Sequence, residues 1–167
     1  MTSPIDTVPP TFPVEPDDVE GRIVVAWREL RRGASMQRLR ALVIGVGPEA
    51  LDLGQLDTLE LLVRRSRLRM SELADGLRID NSSATRAVAR LVDAGLARRE
   101  PSPGDARGVI VVPTTEGIAR WESISSRWRS AMTEMLAAFH FDERAALADL
   151  LDRLVVSLDE WVAGHVE

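Results

Sequence analysis

The chain has 167 residues, 45% of them hydrophobic and 28% charged. That is enough apolar content for one domain with a core, or two small lobes sharing one. Cysteine is absent, which excludes disulfides, thiolate catalysis and cysteine-based zinc sites, and neither His140 nor His165 has metal-ligand spacing around it, so no metal or cofactor is expected. The net charge is −5. No apolar run approaches a membrane span and the N-terminus lacks the basic start and apolar stretch of a secretory signal, so a cytoplasmic protein without a membrane partner is expected.

Residues 1–16 carry Pro4, Pro9, Pro10, Pro13 and Pro16. Such a segment cannot be helical and has little to bury, and it is expected to be a flexible arm. From Asp17, apolar residues recur at helical spacing: Val19, Ile23, Trp27, Leu30, Ala34, Leu39, Leu42 and Val46. The pattern predicts one long helix that Gly47 and Pro48 end. Asp52 precedes Gln55 by three, a variant of the capping box, and opens a helix striped by Leu56, Leu59, Leu62 and Val63. A short helix follows around Ser71 to Leu77, with Arg69 as a poor cap because it offers no acceptor. Asp80 caps a fourth helix, whose buried stripe is Ala84, Val88, Leu91 and Val92, and Gly95-Leu96 predicts a Schellman stop.

Arg98 and Arg99 lead into the turn cluster Pro101-Ser102-Pro103-Gly104-Asp105, and Val109 to Val112 is a β-branched run. Two short strands around that turn make a hairpin. Pro113 ends the second strand, because it lacks the N–H that a ladder needs. Thr114 then caps a long helix with Ile118, Trp121, Ile124, Trp128, Met132, Met135 and Phe139 on one face. Asp142 is expected to cap the last helix, striped by Leu147, Leu150, Leu151, Leu154, Leu158, Trp161 and Val162.

The fold class is therefore mainly α with a small β-hairpin wing: a winged helix-turn-helix lobe plus a long-helix dimerisation region. The divisions are an arm over 1–16, an N-terminal dimerisation helix over 17–50, the winged lobe over 51–113 and C-terminal dimerisation helices over 114–167. The terminal helices have more apolar surface than so small a lobe can cover, which points to a second copy of the chain. Charge follows the same division. Every basic residue is arginine. Arg64 to Arg107 holds ten arginines against six acids, a net of +4, and the remainder holds eleven against twenty, a net of −9. A basic middle in an acidic body suits a polyanion-binding lobe on a scaffold that repels DNA elsewhere.

Three stretches resemble the MarR family of winged helix-turn-helix regulators. Leu73 to Ile79 followed by Asp80 to Arg86 is similar to the family's positioning helix, turn and start of the recognition helix, including the Thr85-Arg86 pair. Leu91 to Arg99 is similar to the exit into the wing. Asp105-x-Arg107, Val111, Thr114 and Gly117 match the wing signature at fixed offsets, with Pro113 standing where leucine is usual. The resemblance implies a transcriptional regulator and not an enzyme: a homodimeric repressor on double-stranded DNA, with a small aromatic or lipophilic effector held between the dimer helices and the DNA lobe. A rival reading keeps the winged helix but uses it as a protein–protein interaction module.

Helical periodicity turns Ser82, Arg86, Ala89 and Arg90 away from the Ala84–Val88–Leu91 stripe, toward a major groove. Arg86 can donate in a bidentate fork to guanine O6 and N7, and Arg90 reaches a base or a phosphate. Ser82 and Ser83, in the first turn, suit a phosphate, and Thr85 lies nearer the edge of the face. In the wing, the resemblance assigns Arg107 to the minor groove with Asp105 bracing it, while Arg98 and Arg99 are placed for phosphates. Trp27, Trp121, Trp128 and Trp161 are expected as core and interface anchors.

Overall fold

The computed structural model describes residues 15, 17–47, 49–102 and 105–165, and of residues 105–107 the backbone only. The proline-rich arm, Glu15 apart, lies outside the described residues, as do Pro48 and the turn residues Pro103 and Gly104.

The elements run α1 (Val19–Arg32), α2 (Ala34–Ile44), α3 (Leu53–Arg65), β1 (Leu68–Arg69), α4 (Met70–Leu77), α5 (Asn81–Asp93), β2 (Ala97–Ser102), β3 (Asp105–Pro113), α6 (Thr115–Leu136) and α7 (Phe141–His165). The single long N-terminal helix expected from periodicity is two helices. Gly33 breaks it with an extended ψ of 144°, and its N–H donates to the Glu29 carbonyl at 2.7 Å. A Cβ at Gly33 would stand 2.5 Å from that carbonyl oxygen, so only glycine allows the approach. The second of the two ends at Ile44, where Gly45 takes φ 101°, three residues before the expected stop.

The other boundaries follow local chemistry. Asp52 accepts from the Gln55 N–H at 2.8 Å and Gln55 returns the bond to the Asp52 N–H at 3.0 Å, a complete capping box. At Arg69 only the Glu72 half of a box forms, with the carboxylate accepting from the Arg69 N–H at 2.7 Å. Gly95 (φ 72°) closes α5 as a Schellman motif: its N–H donates to Val92 O and the Leu96 N–H to Leu91 O. At the last helix the expected cap moves. The chain turns into α7 at His140, whose N–H donates to Glu143 at 2.8 Å, and Asp142 lies inside the first turn.

The sheet has a strand that periodicity did not reveal. β1 pairs antiparallel with β3 on the edge opposite β2, giving the order β1-β3-β2, with Leu68 facing Val111 and Val111 facing Arg99. β3 ends at Pro113, as expected. The core sits between α3, α4, α5 and this sheet: Leu59, Leu62, Leu73, Ala84, Val88, Leu91 and Val111 are all completely buried. Val43, Ile44 and Ile124 join α2 and α6 to it.

Candidate nucleic-acid interface

The lobe presents α5 as a helix with one buried and one open face. Ala84, Ala87, Val88 and Leu91 are buried, while Ser82, Thr85, Arg86 and Arg90 are exposed and Ser83 half-buried. The stripe that packs α5 onto the lobe therefore fixes which side chains face outward.

Each outward side chain has a partner on its own lobe. The Ser82 hydroxyl donates to Asp80 Oδ1 and the Ser83 hydroxyl to Asp80 Oδ2 at 2.7 Å. The Thr85 hydroxyl folds back to the Asn81 carbonyl at 2.7 Å, so it serves the helix rather than the open face. Arg86 Nη2 donates to Ser83 Oγ at 3.0 Å. Arg90 Nη2 stands 3.5 Å from Asp52 Oδ2, which ties the far end of the recognition helix to the start of α3. Asp80 is exposed, and the Ser82 hydroxyl, the Ser83 hydroxyl and the Ser83 N–H together hold its carboxyl well below the usual carboxylate range. It is thus fully ionised at neutral pH. Sequence reasoning reads Asp80 as a cap that puts a negative charge near the phosphates, not as the partner of both serines. The signal for more was the run Asp80-x-Ser82-Ser83, which places two hydroxyls within reach of one carboxylate.

In the wing, Arg98 pairs along its own strand with Glu100 at 2.7 Å, and Arg99 is exposed. Asp105 and Arg107 lie on the backbone of β3. The bracing contact expected between their side chains falls outside what is described.

The last two residues of the wing signature, Thr114 and Gly117, have a structural job. The Thr114 hydroxyl donates to the Gly95 carbonyl at 2.7 Å and accepts from the Gly117 N–H at 3.0 Å, while the Thr114 N–H donates to the Leu96 carbonyl at 3.1 Å. A Cβ at Gly117 would meet that same Leu96 oxygen at 2.0 Å. The threonine and glycine thus seat the start of α6 directly on the exit from α5. This joint ties the end of the recognition helix to the start of the long helix.

Three short helices, a three-stranded sheet with a hairpin and an arginine-bearing outward helix define a winged helix-turn-helix. A sequence profile of the MarR family matches residues 50–108. The HTH-type transcriptional regulator YdgJ of Bacillus subtilis is 34% identical over 115 residues, which cover 67% of this chain and 70% of that one. A probable transcriptional regulator from Pseudomonas aeruginosa is similar in structure, with TM-score 0.64 and 28% identity over 83% of this chain and 98% of that one. So is a cysteine-to-serine mutant of MarR from E. coli, solved in complex with operator DNA: TM-score 0.61 and 27% identity over 82% and 98%. The chain belongs to the MarR family and is a DNA-binding transcriptional regulator, not an enzyme. Among the described residues, no helix is long and apolar enough to cross a membrane and no cluster of side chains could hold a metal ion.

Proposed function

We propose that the protein is a repressor acting as a homodimer on a pseudo-palindromic operator, with the α5 helices of two copies in successive major grooves roughly one helical turn apart. The observation that carries this reading is the open face of α5. Arg86 stands in its middle, exposed, with most of its guanidinium donors unused after the bond to Ser83. That planar fork matches guanine O6 and N7. Arg90 flanks it, and its pair with Asp52 is solvent-exposed, worth about 0–1 kcal/mol and easily exchanged for a phosphate. Arg98 and Arg99 on β2 border that face with phosphate-binding groups, while the Ser82 and Ser83 hydroxyls, already donating to Asp80, hold the start of α5 instead. Arg107, braced by Asp105, enters the minor groove.

The dimer is supported by uncovered apolar surface. α1 and α7 contain no buried residue, and a second copy laid on 17–50 and 114–167 would cover them. The lobe over 51–113 then holds the DNA. A small aromatic or lipophilic effector, seated between the dimer helices and the lobe, changes the spacing of the two recognition helices and releases the operator.

The test is fluorescence anisotropy on a labelled duplex from upstream of the protein's own gene, with random DNA as competitor and two salt concentrations. The parent should bind selectively and lose affinity steeply with salt. Arg86→Ala and Arg107→Ala should both lower selectivity for the fragment over random DNA. If the parent prefers no sequence, in this fragment or in a random-sequence pool, and both variants match it, the winged helix serves a protein partner instead.

A further inference from the structure

The first turn of α5 contains a hydrogen-bond chain with a fixed direction. A serine hydroxyl has one proton to give. Ser83 gives its proton to Asp80 Oδ2 at 2.7 Å, so the Ser83 oxygen offers only lone pairs to any other neighbour. Arg86 Nη2 donates to that oxygen at 3.0 Å. Asp80 is itself held from the other side, because Oδ1 accepts the Ser82 hydroxyl and the Ser83 N–H. The proton order therefore runs one way, from Arg86 to Ser83 to Asp80.

We propose that Asp80 and Ser83 are positioning residues for Arg86, holding its guanidinium over the open face of α5 before DNA arrives and so setting how sharply one base pair is read. The inference rests on Arg86 reading a base, as proposed above. A free arginine loses much rotamer freedom when it makes a bidentate contact. One already tethered at Nη2 loses less, and its remaining donors keep the fork geometry. Asp80 stays ionised throughout the neutral range, so the direction of the chain does not change with pH there.

A purely electrostatic role for Asp80 makes the opposite forecast. Its negative charge beside the backbone would repel phosphates, so Asp80→Asn should tighten binding to every sequence and leave selectivity alone. Asparagine is as good an N-cap as aspartate, so α5 stays capped. But the asparagine amide donates where the carboxylate accepted. Ser83 would then accept from it, and its own proton, no longer held by a carboxylate, would be free to rotate, so the hydroxyl would lose the fixed direction that holds Arg86.

The experiment uses a duplex selected from a random-sequence pool by the full-length parent, together with its single-base-pair variants. Helix content and melting are recorded for every protein. Arg86→Ala should flatten selectivity at one base pair by about 5- to 140-fold, the worth of one bidentate contact. At that same base pair Ser83→Ala and Asp80→Asn should each lower selectivity by about 2- to 12-fold, the cost of ordering one long side chain. Ser83→Thr, which restores the hydroxyl, should keep parental selectivity. The inference is overturned if Ser83→Ala and Asp80→Asn fold and discriminate as the parent does while Arg86→Ala does not. If Arg86→Ala also discriminates as the parent does, the base-reading assignment itself has failed, and the inference falls with it.

Discussion

The winged lobe and the long helices that flank it bury apolar side chains to very different degrees. In the lobe, Leu59, Leu62, Leu73, Leu91 and Val111 are shielded completely, and all belong to one cluster. In α7, Leu147, Leu150, Leu151, Leu154, Leu158, Trp161 and Val162 form an equally regular stripe, yet every one of them is exposed, Trp161 by 61%. Trp27 on α1 is 52% exposed. The same 3.6-residue periodicity thus produces a finished core in one region and an unfinished face in the other. Periodicity reports which face of a helix is apolar, and the supply of neighbouring surface decides whether that face is covered.

The largest effect that would break this contrast is in the core. Leu91→Ala should cost about 2–5 kcal/mol of stability, because the closely packed lobe closes over the lost volume only in part. Thermal or urea unfolding reads this directly. Leu151→Glu and Leu154→Glu should instead leave the lobe's unfolding unchanged at concentrations where the parent is already monomeric, and abolish self-association in sedimentation velocity. If the α7 variants unfold the lobe as Leu91→Ala does, the stripe is part of the core and the two regions are one.

How much of this was legible in the sequence follows from how local each signal is. The capping box at Asp52 and Gln55, the Asp80 cap, the Schellman stop at Gly95 and the end of β3 at Pro113 each depend on residues within a turn of one another, and all are where the sequence puts them. The break at Gly33 was hidden because apolar spacing runs unbroken from Leu30 to Ala34 across it, while the cause is a backbone approach to Glu29. β1 was hidden because two residues carry no period and its partner strand, β3, lies some forty positions away. At the interface, the open face of α5 was legible from its stripe. That Asp80 engages Ser82 and Ser83 was signalled only by their spacing, which does not give the hydroxyl direction, and the pair of Arg90 with Asp52 left no pattern, since the cap lies far off in the chain.

The joint between the two regions should be next in size. Gly117→Ala puts a Cβ against the Leu96 carbonyl oxygen, which is backbone and cannot step aside. The start of α6 must move, at a cost of about 1–3 kcal/mol. Thr114→Val removes the hydroxyl that bridges Gly95 and Gly117 and should cost about 0.5–2 kcal/mol, as lost caps do. Gly76→Ala is the control. Its Cβ would meet only the end of the Leu61 side chain, which can rotate, and alanine favours the helix by up to about 1 kcal/mol. Equal losses at Gly76 and Gly117 in a denaturant titration would mean that the joint has no special role.

The smallest effect concerns a bridge from α7 to the lobe. Arg78 Nη1 pairs with Asp159 Oδ1, and both side chains are substantially exposed, 72% and 40%. A pair in that setting contributes about 0–1 kcal/mol and fades as salt screens it. Arg78 also closes α4 in the left-handed region, at φ 55° and ψ 42°, where a side chain costs roughly 1–2 kcal/mol that glycine avoids. The two terms oppose each other, which makes their signs informative. Asp159→Asn should lose a few tenths of a kcal/mol at low salt and nothing at high salt. Arg78→Gly should lose the same pair yet gain the backbone relief, so the lobe becomes as stable or more stable. A double-mutant cycle over the two positions isolates the pair alone. A coupling well above 1 kcal/mol, persisting in high salt, would mean that α7 is fastened to the lobe rather than lying against it. The lobe could then not be treated as a unit independent of the face that a second copy covers.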